Sequence, residues 1–189
     1  MSNRGSFNKA GAGTMTLSGS NTYTGTTTVT GGILEITGAI AGSKSLTVAS
    51  GAVLYLAGGT LSINGAIVNN GTFKLSGSAV LKQTGAFTNN GVLDLINGPQ
   101  ALPTTFTNNG SVLEASSVQV RQVGITGSSL TVTIQGYAQH TYQLQRTLSL
   151  ASPSWINIGS PQDGAGAPLV FTDPGAGSSA GFYQISVSP

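Results

Sequence analysis

A glycine recurs along the N-terminal part of the chain at Gly13, Gly32, Gly51, Gly71, Gly91 and Gly110, at intervals of 19, 19, 20, 20 and 19 residues. Four of the six carry apolar residues two and four positions later: Met15/Leu17, Leu34/Ile36, Phe73/Leu75 and Leu93/Leu95. After Gly51 and Gly110 the pattern slips by one, to Leu54/Leu56 and Leu113/Ala115. Alternation at period two marks a half-buried strand, so each glycine opens a short strand. A second set of strands falls between them, at 27–29, 46–48, 61–63, 80–82 and 105–107. Independent hairpins have no reason to keep a fixed period of this length, whereas equivalent coils stacked on one another do. Residues 13–116 therefore predict an all-β fold, a parallel β-solenoid of about 5–6 coils of 19–20 residues each, with coils about 4.8 Å apart.

A second register supports the first. Asn-Asn-Gly stands at Asn69-Asn70-Gly71, Asn89-Asn90-Gly91 and Asn108-Asn109-Gly110. Asn tolerates the left-handed conformation and Gly has no Cβ to clear, so the triplet reads as a turn. Stacked equivalent turns would align Asn69, Asn89 and Asn108, with Asn70, Asn90 and Asn109, as a hydrogen-bonded ladder along the solenoid axis. Helix is excluded, because no segment keeps an apolar period of 3.6 over three turns.

After Ser116-Ser117 the repeat stops. The stretches VQVRQVGITGSSLTVTIQG, HTYQLQRTL, SWINIGS, PLVFTDP and GFYQISVS are strands joined by Gly, Ser, Pro and Asp turns. This spacing predicts a small Ig/fibronectin-like β-sandwich over 117–189. Its core would be filled or flanked by Leu130, Val132, Ile134, Tyr142, Leu144, Trp155, Ile158, Phe171, Phe182, Tyr183 and Ile185. Residues 1–12 form a separate N-terminal segment, a candidate inter-subunit contact.

Two resemblances follow from these residues. KAGAGTMTLSGSNTYTGTTTVTGGILEITG, residues 9–38, resembles the autotransporter-associated β-strand repeat of bacterial passenger domains, which reads K-x-G-x-G-T-L-x-L-S-G-x-N-T-Y-T-G-x-T-x-V-x-G-G-x-L-x-V. That resemblance implies a right-handed β-helix on a bacterial cell surface or outside the cell. Residues 138–187 are similar to a C-terminal β-sandwich module of secreted bacterial repeat proteins, with the pattern Y-x-L-Q, W-x-x-I/V-G, F-T-D-P and F-Y-R-I/V. Here these stand at Tyr142–Gln145, Trp155–Gly159, Phe171–Pro174 and Phe182–Ile185, with Gln184 where that pattern has Arg, which removes one partner for a carboxylate such as Asp173.

Only 6% of residues are charged, against about 25% in an average soluble protein. The seven basic residues, Arg4, Lys9, Lys44, Lys74, Lys82, Arg121 and Arg146, are scattered. Nucleic-acid binding needs them clustered, so that class is excluded. No apolar run is long enough for a membrane-spanning helix, and Met1-Ser2-Asn3-Arg4 leads into no apolar leader segment. With no Cys there is no disulfide or thiolate metal site.

Catalysis finds little to work with. Glycan cleavage needs closely paired ionisable groups, but Glu35 and Asp94, at the same offset in their coils, lie three coils apart. Both read as outward charges that keep a sheet face wet. His140 has Gln139 and Thr141 as neighbours and no partner acid, and Asp163 and Asp173 sit in turns. The sequence predicts no catalytic residue, metal or cofactor. Tyr23, Tyr55 and Tyr137 offer scattered aromatic faces of the kind a surface glycan could stack on.

Residues 13–34 contain no Lys, Arg, Asp, Glu or Pro, the residues that normally stop a strand pairing with a neighbouring molecule. The first coil is therefore expected to be an open template, with Thr14, Thr16, Leu17, Thr26, Thr28 and Val29 as its pairing residues. A head-to-tail contact between different surfaces propagates without closing. The expectation is a structural extracellular protein that partners itself in a filament or matrix. The alternative is a monomeric adhesin or glycan-binding passenger fragment.

Overall fold

The computed structural model describes residues 4–178 and 181–189. The chain divides into two compact units, Met1–Ala115 and Ser116–Pro189. The first is a parallel β-solenoid with three faces. One sheet runs β1 (Phe7–Lys9), β4 (Thr26–Val29), β7 (Ser45–Val48), β10 (Ile67–Asn69), β13 (Phe87–Asn89) and β15 (Phe106–Asn108). The second, opened by the recurring glycines, runs β2 (Thr14–Leu17), β5 (Ile33–Ile36), β8 (Val53–Ala57), β11 (Thr72–Ser76), β14 (Val92–Asn97) and β16 (Ser111–Leu113). The third has four strands, β3 (Ser20–Asn21), β6 (Ala39–Ser43), β9 (Thr60–Ile63) and β12 (Val80–Gln83).

Register turns the sequence repeat into columns. In the second sheet Met15, Leu34, Leu54, Phe73, Leu93 and Val112 are successive Cα partners. In the first sheet Phe7, Thr27, Leu46, Ile67, Phe87 and Phe106 form another column. Leu34, Leu54, Phe73 and Leu93 are fully buried, as are Leu46, Ile67 and Phe87. At the end of the first-sheet column Phe87 lies 5.1 Å, edge to face, from Phe106, and it reaches Phe73 of the second sheet at 6.0 Å. Each such side chain contributes about 1.5–3 kcal/mol on burial. A single coil cannot bury both sides of its ring of apolar residues, so the coils hold together only as a stack.

Three sequence expectations need correction, and one, the slip after Gly51, is explained. The second predicted set of strands belongs to two different sheets, which gives the coil its third face. Ala52 lies ahead of β8 and accounts for the slip after Gly51, since Leu54 still pairs with Leu34 and Phe73. After Gly110 there is no slip, because Val112 stands opposite Leu93 and Leu113 opposite Asp94. The Asn-Asn-Gly triplets do not use left-handed backbone; among the described residues other than glycine, only Gln139 has positive φ. Their glycines serve close approach instead: a Cβ on Gly91 would strike the Gly71 carbonyl, and one on Gly110 the Gly91 carbonyl.

The second unit consists of two three-stranded antiparallel sheets, ordered β17 (Val120–Thr126), β18 (Ser129–Gln135), β21 (Pro168–Asp173) and β20 (Ile156–Asp163), β19 (Thr141–Thr147), β22 (Phe182–Ser188). Leu130, Val132, Ile134, Tyr142, Leu144 and Phe171 form its buried cluster, with Ile158, Tyr183 and Ile185 packed against it. Phe182, expected near the core, is instead 46% exposed.

Candidate assembly edge and polar ladder

The solenoid opens on β1, β2 and β3, each the last strand of its sheet. Of the pairing residues read from the sequence, Thr14, Thr16 and Leu17 lie on β2, at the edge. Thr14 and Thr16 are exposed and Leu17 is half-buried. Thr26, Thr28 and Val29 do not lie at an edge. They form β4, between β7 and β1, with Thr28 opposite Asn8 and Val29 opposite Lys9. Val29 is fully buried. Residues 7–9 of the supposed N-terminal segment are therefore the first strand of the solenoid, while residues 1–3 of that segment lie outside the described residues.

Sequence reasoning missed β1 because a lysine occupies an inward position. Lys9 is 5% exposed, which is costly for a charge unless its hydrogen bonds are met. They are met: Nζ donates to the carbonyls of Ala10, Gly11 and Gly31 at 3.0, 2.8 and 2.9 Å. Three donors meet three acceptors, which ties the first turn to the second. Phe7 stacks on Tyr23 at 5.9 Å, and the Tyr23 hydroxyl shares a hydrogen bond with Thr27 Oγ1 at 2.9 Å. Burial of that ring raises the Tyr23 pKa above its ordinary value, and the Thr27 bond opposes the shift.

The rest of the first coil is open. Met15 is 42% exposed although the next two residues of its column, Leu34 and Leu54, are at 0%. Thr16 Oγ1 donates to Glu35 at 2.8 Å, so Glu35 steadies the edge strand. At the other end β15 and β16 close their sheets, and Thr107 to Ser111 are exposed.

The Asn residues form two ladders. Asn69 Nδ2 donates to Asn89 Oδ1 and Asn89 Nδ2 to Asn108 Oδ1, both at 2.7 Å. The same amides reach the carbonyls of Val92 and Ser111 at 2.9 and 3.0 Å, and so fasten the first sheet to the second. Asn69 and Asn89 are fully buried, while Asn108 is exposed at the end. The outer ladder runs the opposite way, from Asn109 to Asn90 at 2.9 Å and from Asn90 to Asn70 at 2.8 Å. The inner one stops at Asn69, whose buried Oδ1 has no donor. The column continues there with Val48, which can offer none.

The ionisable groups are also set into the fold. Asp94, read from the sequence as an outward wetting charge, is 2% exposed and stands opposite Lys74, itself 3% exposed. The outward face of β11 and β14 is thus covered, which a strand pattern alone cannot reveal. Burial lowers the Lys74 pKa and the charge of Asp94 opposes that shift. Lys74 lies over the Tyr55 ring at 5.2 Å, and the Tyr55 hydroxyl bonds Ser76 Oγ at 2.7 Å. In the second unit Asp173, 4% exposed, accepts from Arg146 at 3.4 Å, Tyr183 Oη at 2.7 Å and Gly175 N at 2.9 Å. Arg146, and no residue at position 184, is its cation; Gln184 bonds Gln145 instead, at 2.8 Å. Tyr137 donates to the Ser117 carbonyl at 3.1 Å, and His140 is buried with its ring tilted against Tyr142. Asp163 accepts from Thr141 at 2.7 Å. Among the described residues no three His, Cys, Asp or Glu side chains group as metal ligands would.

No helix among the described residues is long and apolar enough to cross a membrane. No curated protein and no solved structure matches the chain. A family model does match residues 7–36, that of the passenger-associated-transport-repeat. The matched stretch begins at Phe7, where β1 begins, and ends at Ile36, where β5 ends. It is one full coil with the strands that stack on it, including the Lys9 plug. Residues 7–36 are thus a passenger-type repeat in a parallel β-helix, and that repeat implies a secreted or surface protein of the autotransporter-passenger type.

Proposed function

We propose that the chain is a structural extracellular protein, a subunit that stacks head to tail through the ends of its solenoid. The observation that carries this reading is the unfinished apolar column: Met15 is 42% exposed where the residues stacked beyond it are closed to solvent. Three parallel strands leave their outer edges open at that end, and no charge lies between Lys9 and Glu35 to repel a neighbour. The opposite coil is equally uncharged from Thr104 to Leu113. Placing β1 and β2 of one subunit on β15 and β16 of the next sets Phe7 over Phe106 and Met15 over Val112. Both columns then continue with main-chain hydrogen bonds in the spacing of the coils.

The role is non-catalytic. Support comes from the ionisable groups that come close to one another, which are occupied in holding the fold: Lys9 on carbonyls, Lys74 against Asp94, Arg146 and Tyr183 on Asp173.

Electron microscopy of the purified chain tests the reading. Filaments are expected at micromolar concentration, and Met15→Asp, which sets a charge at an exposed site on the stacking surface, abolishes them while leaving the circular dichroism unchanged. Dispersed particles of the unmutated chain would overturn the proposal and favour the adhesin alternative, to be pursued with glycan arrays.

A further inference from the structure

The solenoid ends are not the whole of the chain's open strand edge. In the second unit β17 closes one sheet, pairs with β18 on one side, and has no strand on the other among the described residues. Strands at such positions are normally short, charged or covered. This one is seven residues long and carries a single charge, Arg121. Its apolar residues lie open on the core side: Val120, Val123 and Ile125 stand opposite Ile134, Val132 and Leu130, yet are 56, 58 and 74% exposed. They form one wall of a cleft of about 360 Å³, whose other wall is Tyr183 and Ile185 of β22.

We propose that β17 pairs antiparallel with β17 of a second copy across a two-fold axis at Gly124, and so joins two C-terminal modules into one six-stranded sheet. The register follows from the hairpin. A two-residue loop, Gly127-Ser128, joins β17 to β18, with Gly127 at φ +61°, the first position of a type II′ turn. The residues that flank such a loop exchange hydrogen bonds. Thr126, Gly124 and Gln122 therefore turn their main-chain groups toward β18, and Ile125 and Val123 turn theirs to the open edge. Thr131 Oγ1 on the Gly124 carbonyl agrees with that direction. Of the registers that set outward-bonding residues opposite one another, the one with Gly124 on the axis gives both Val123 and Ile125 a large apolar partner. Val123 then faces Ile125 of the second copy in two closely spaced pairs of hydrogen bonds, with both apolar side chains on the cleft side.

Charge and space favour a second copy over a foreign strand. In this register Arg121 falls opposite Gly127, so the only charges on the two strands do not oppose each other. On the opposite face, where the two chains come closest, the residue is glycine, and a side chain there would meet nothing nearer than Thr131 Oγ1 at 3.5 Å. The contact is isologous and closes at two copies, unlike the head-to-tail one. It does not depend on the end-to-end reading; together the two contacts would cross-link filaments into a matrix.

The chain has no cysteine, so one introduced thiol reports one contact. A residue on the axis faces itself in a pair without hydrogen bonds, about 4.5 Å between Cα atoms, within the span of a disulfide. The full-length Gly124→Cys chain, oxidised and run on a denaturing gel without reductant, is expected at twice the chain mass. Val123→Cys, whose own copy lies beyond about 7 Å in this register, should give on the order of tenfold less. Ile125→Lys combined with Gly124→Cys should remove the dimer. Equal cross-linking at 123 and 124, or none at 124 in a chain with unchanged circular dichroism, would overturn the proposal. Should Gly124→Cys fail to fold, sedimentation in the Met15→Asp background decides: a two-copy species that Ile125→Lys turns into one copy supports the contact, and a single copy without that substitution overturns it. Filaments without the cross-link would leave the end-to-end reading standing alone, and the cross-link without filaments the reverse.

Discussion

The two units meet the same shortage of charge in different ways. In the solenoid many residues are answered by their equivalents one coil away, Phe87 by Phe106 and Asn69 by Asn89, while Lys9 is answered by the carbonyls of a turn and Lys74 by Asp94. In the C-terminal unit the buried ion pair and its hydrogen bonds centre on one group, the carboxylate of Asp173. A repeated contact spreads its energy along the axis, so losing one leaves its neighbours in place. A focal contact loses everything at once. The solenoid should accordingly fail coil by coil and the module as a whole.

The largest expected effect is Phe87→Ala, which removes the middle of the aromatic column and should cost about 3–5 kcal/mol, measured by chemical unfolding with far-ultraviolet circular dichroism. Trp155 is the single tryptophan and lies in the C-terminal unit. Its fluorescence therefore reads the module, and it should register Asp173→Leu, which strands Arg146 without its carboxylate, as a loss of about 3 kcal/mol. If Phe87→Ala moves the Trp155 transition by as much, the contrast between spread and focal contacts fails. Next comes Asn89→Ala, which cuts the inner ladder between its neighbours and should cost about 1–3 kcal/mol. Hydrogen exchange should quicken at the amides of β10, β13 and β15 and not at β4. The outer-ladder change Asn90→Ala, made in solvent, should cost less than Asn89→Ala.

A smaller effect is set by pH. The Tyr183 pKa is raised by desolvation first and by Asp173 second, against an opposing influence of Arg146, and that of Tyr23 is raised by burial. The folded chain holds these protons more tightly than the unfolded one. Their stability is thus fully present below pH about 10, the ordinary tyrosine value, and is lost as pH rises through the folded values. Thermal melting between about pH 8 and 11 should fall less steeply for Tyr183→Phe than for the unmutated chain. The smallest expected change, Val48→Asn, gives the unpartnered Oδ1 of Asn69 a donor and should shift stability by about 1 kcal/mol or less. A large loss there would mean that the column tolerates no polar residue before Asn69.

What could be read in the sequence was the part that repeats. The glycine spacing located every strand of the second sheet; at Gly32, Gly71, Gly91 and Gly110 a backbone approach excludes a side chain, and at Gly51 a positive φ favours glycine. It did not locate β1, since Lys9 at an inward position looks like the end of a pattern until three carbonyls are brought to its ammonium. The three-residue strands β10 and β13 escape the sequence reading, which places their last residues, Asn69 and Asn89, in turns; both are inward strand ends whose partners lie 19 or 20 residues away. Asp94 was misread for a related reason: alternation tells which face a residue takes, and says nothing of whether that face is covered. The Arg146–Asp173 contact, 27 residues apart and unrepeated, had no period to announce it.

X-ray diffraction from aligned filaments of the full-length chain tests the central claim most directly. If coils stack across subunits as they stack within one, the strand spacing of about 4.7–4.8 Å lies on the meridian, along the filament axis, and Met15→Asp yields no filament to align. A strand reflection off the meridian, or a chain that forms no filaments at all, would contradict the account.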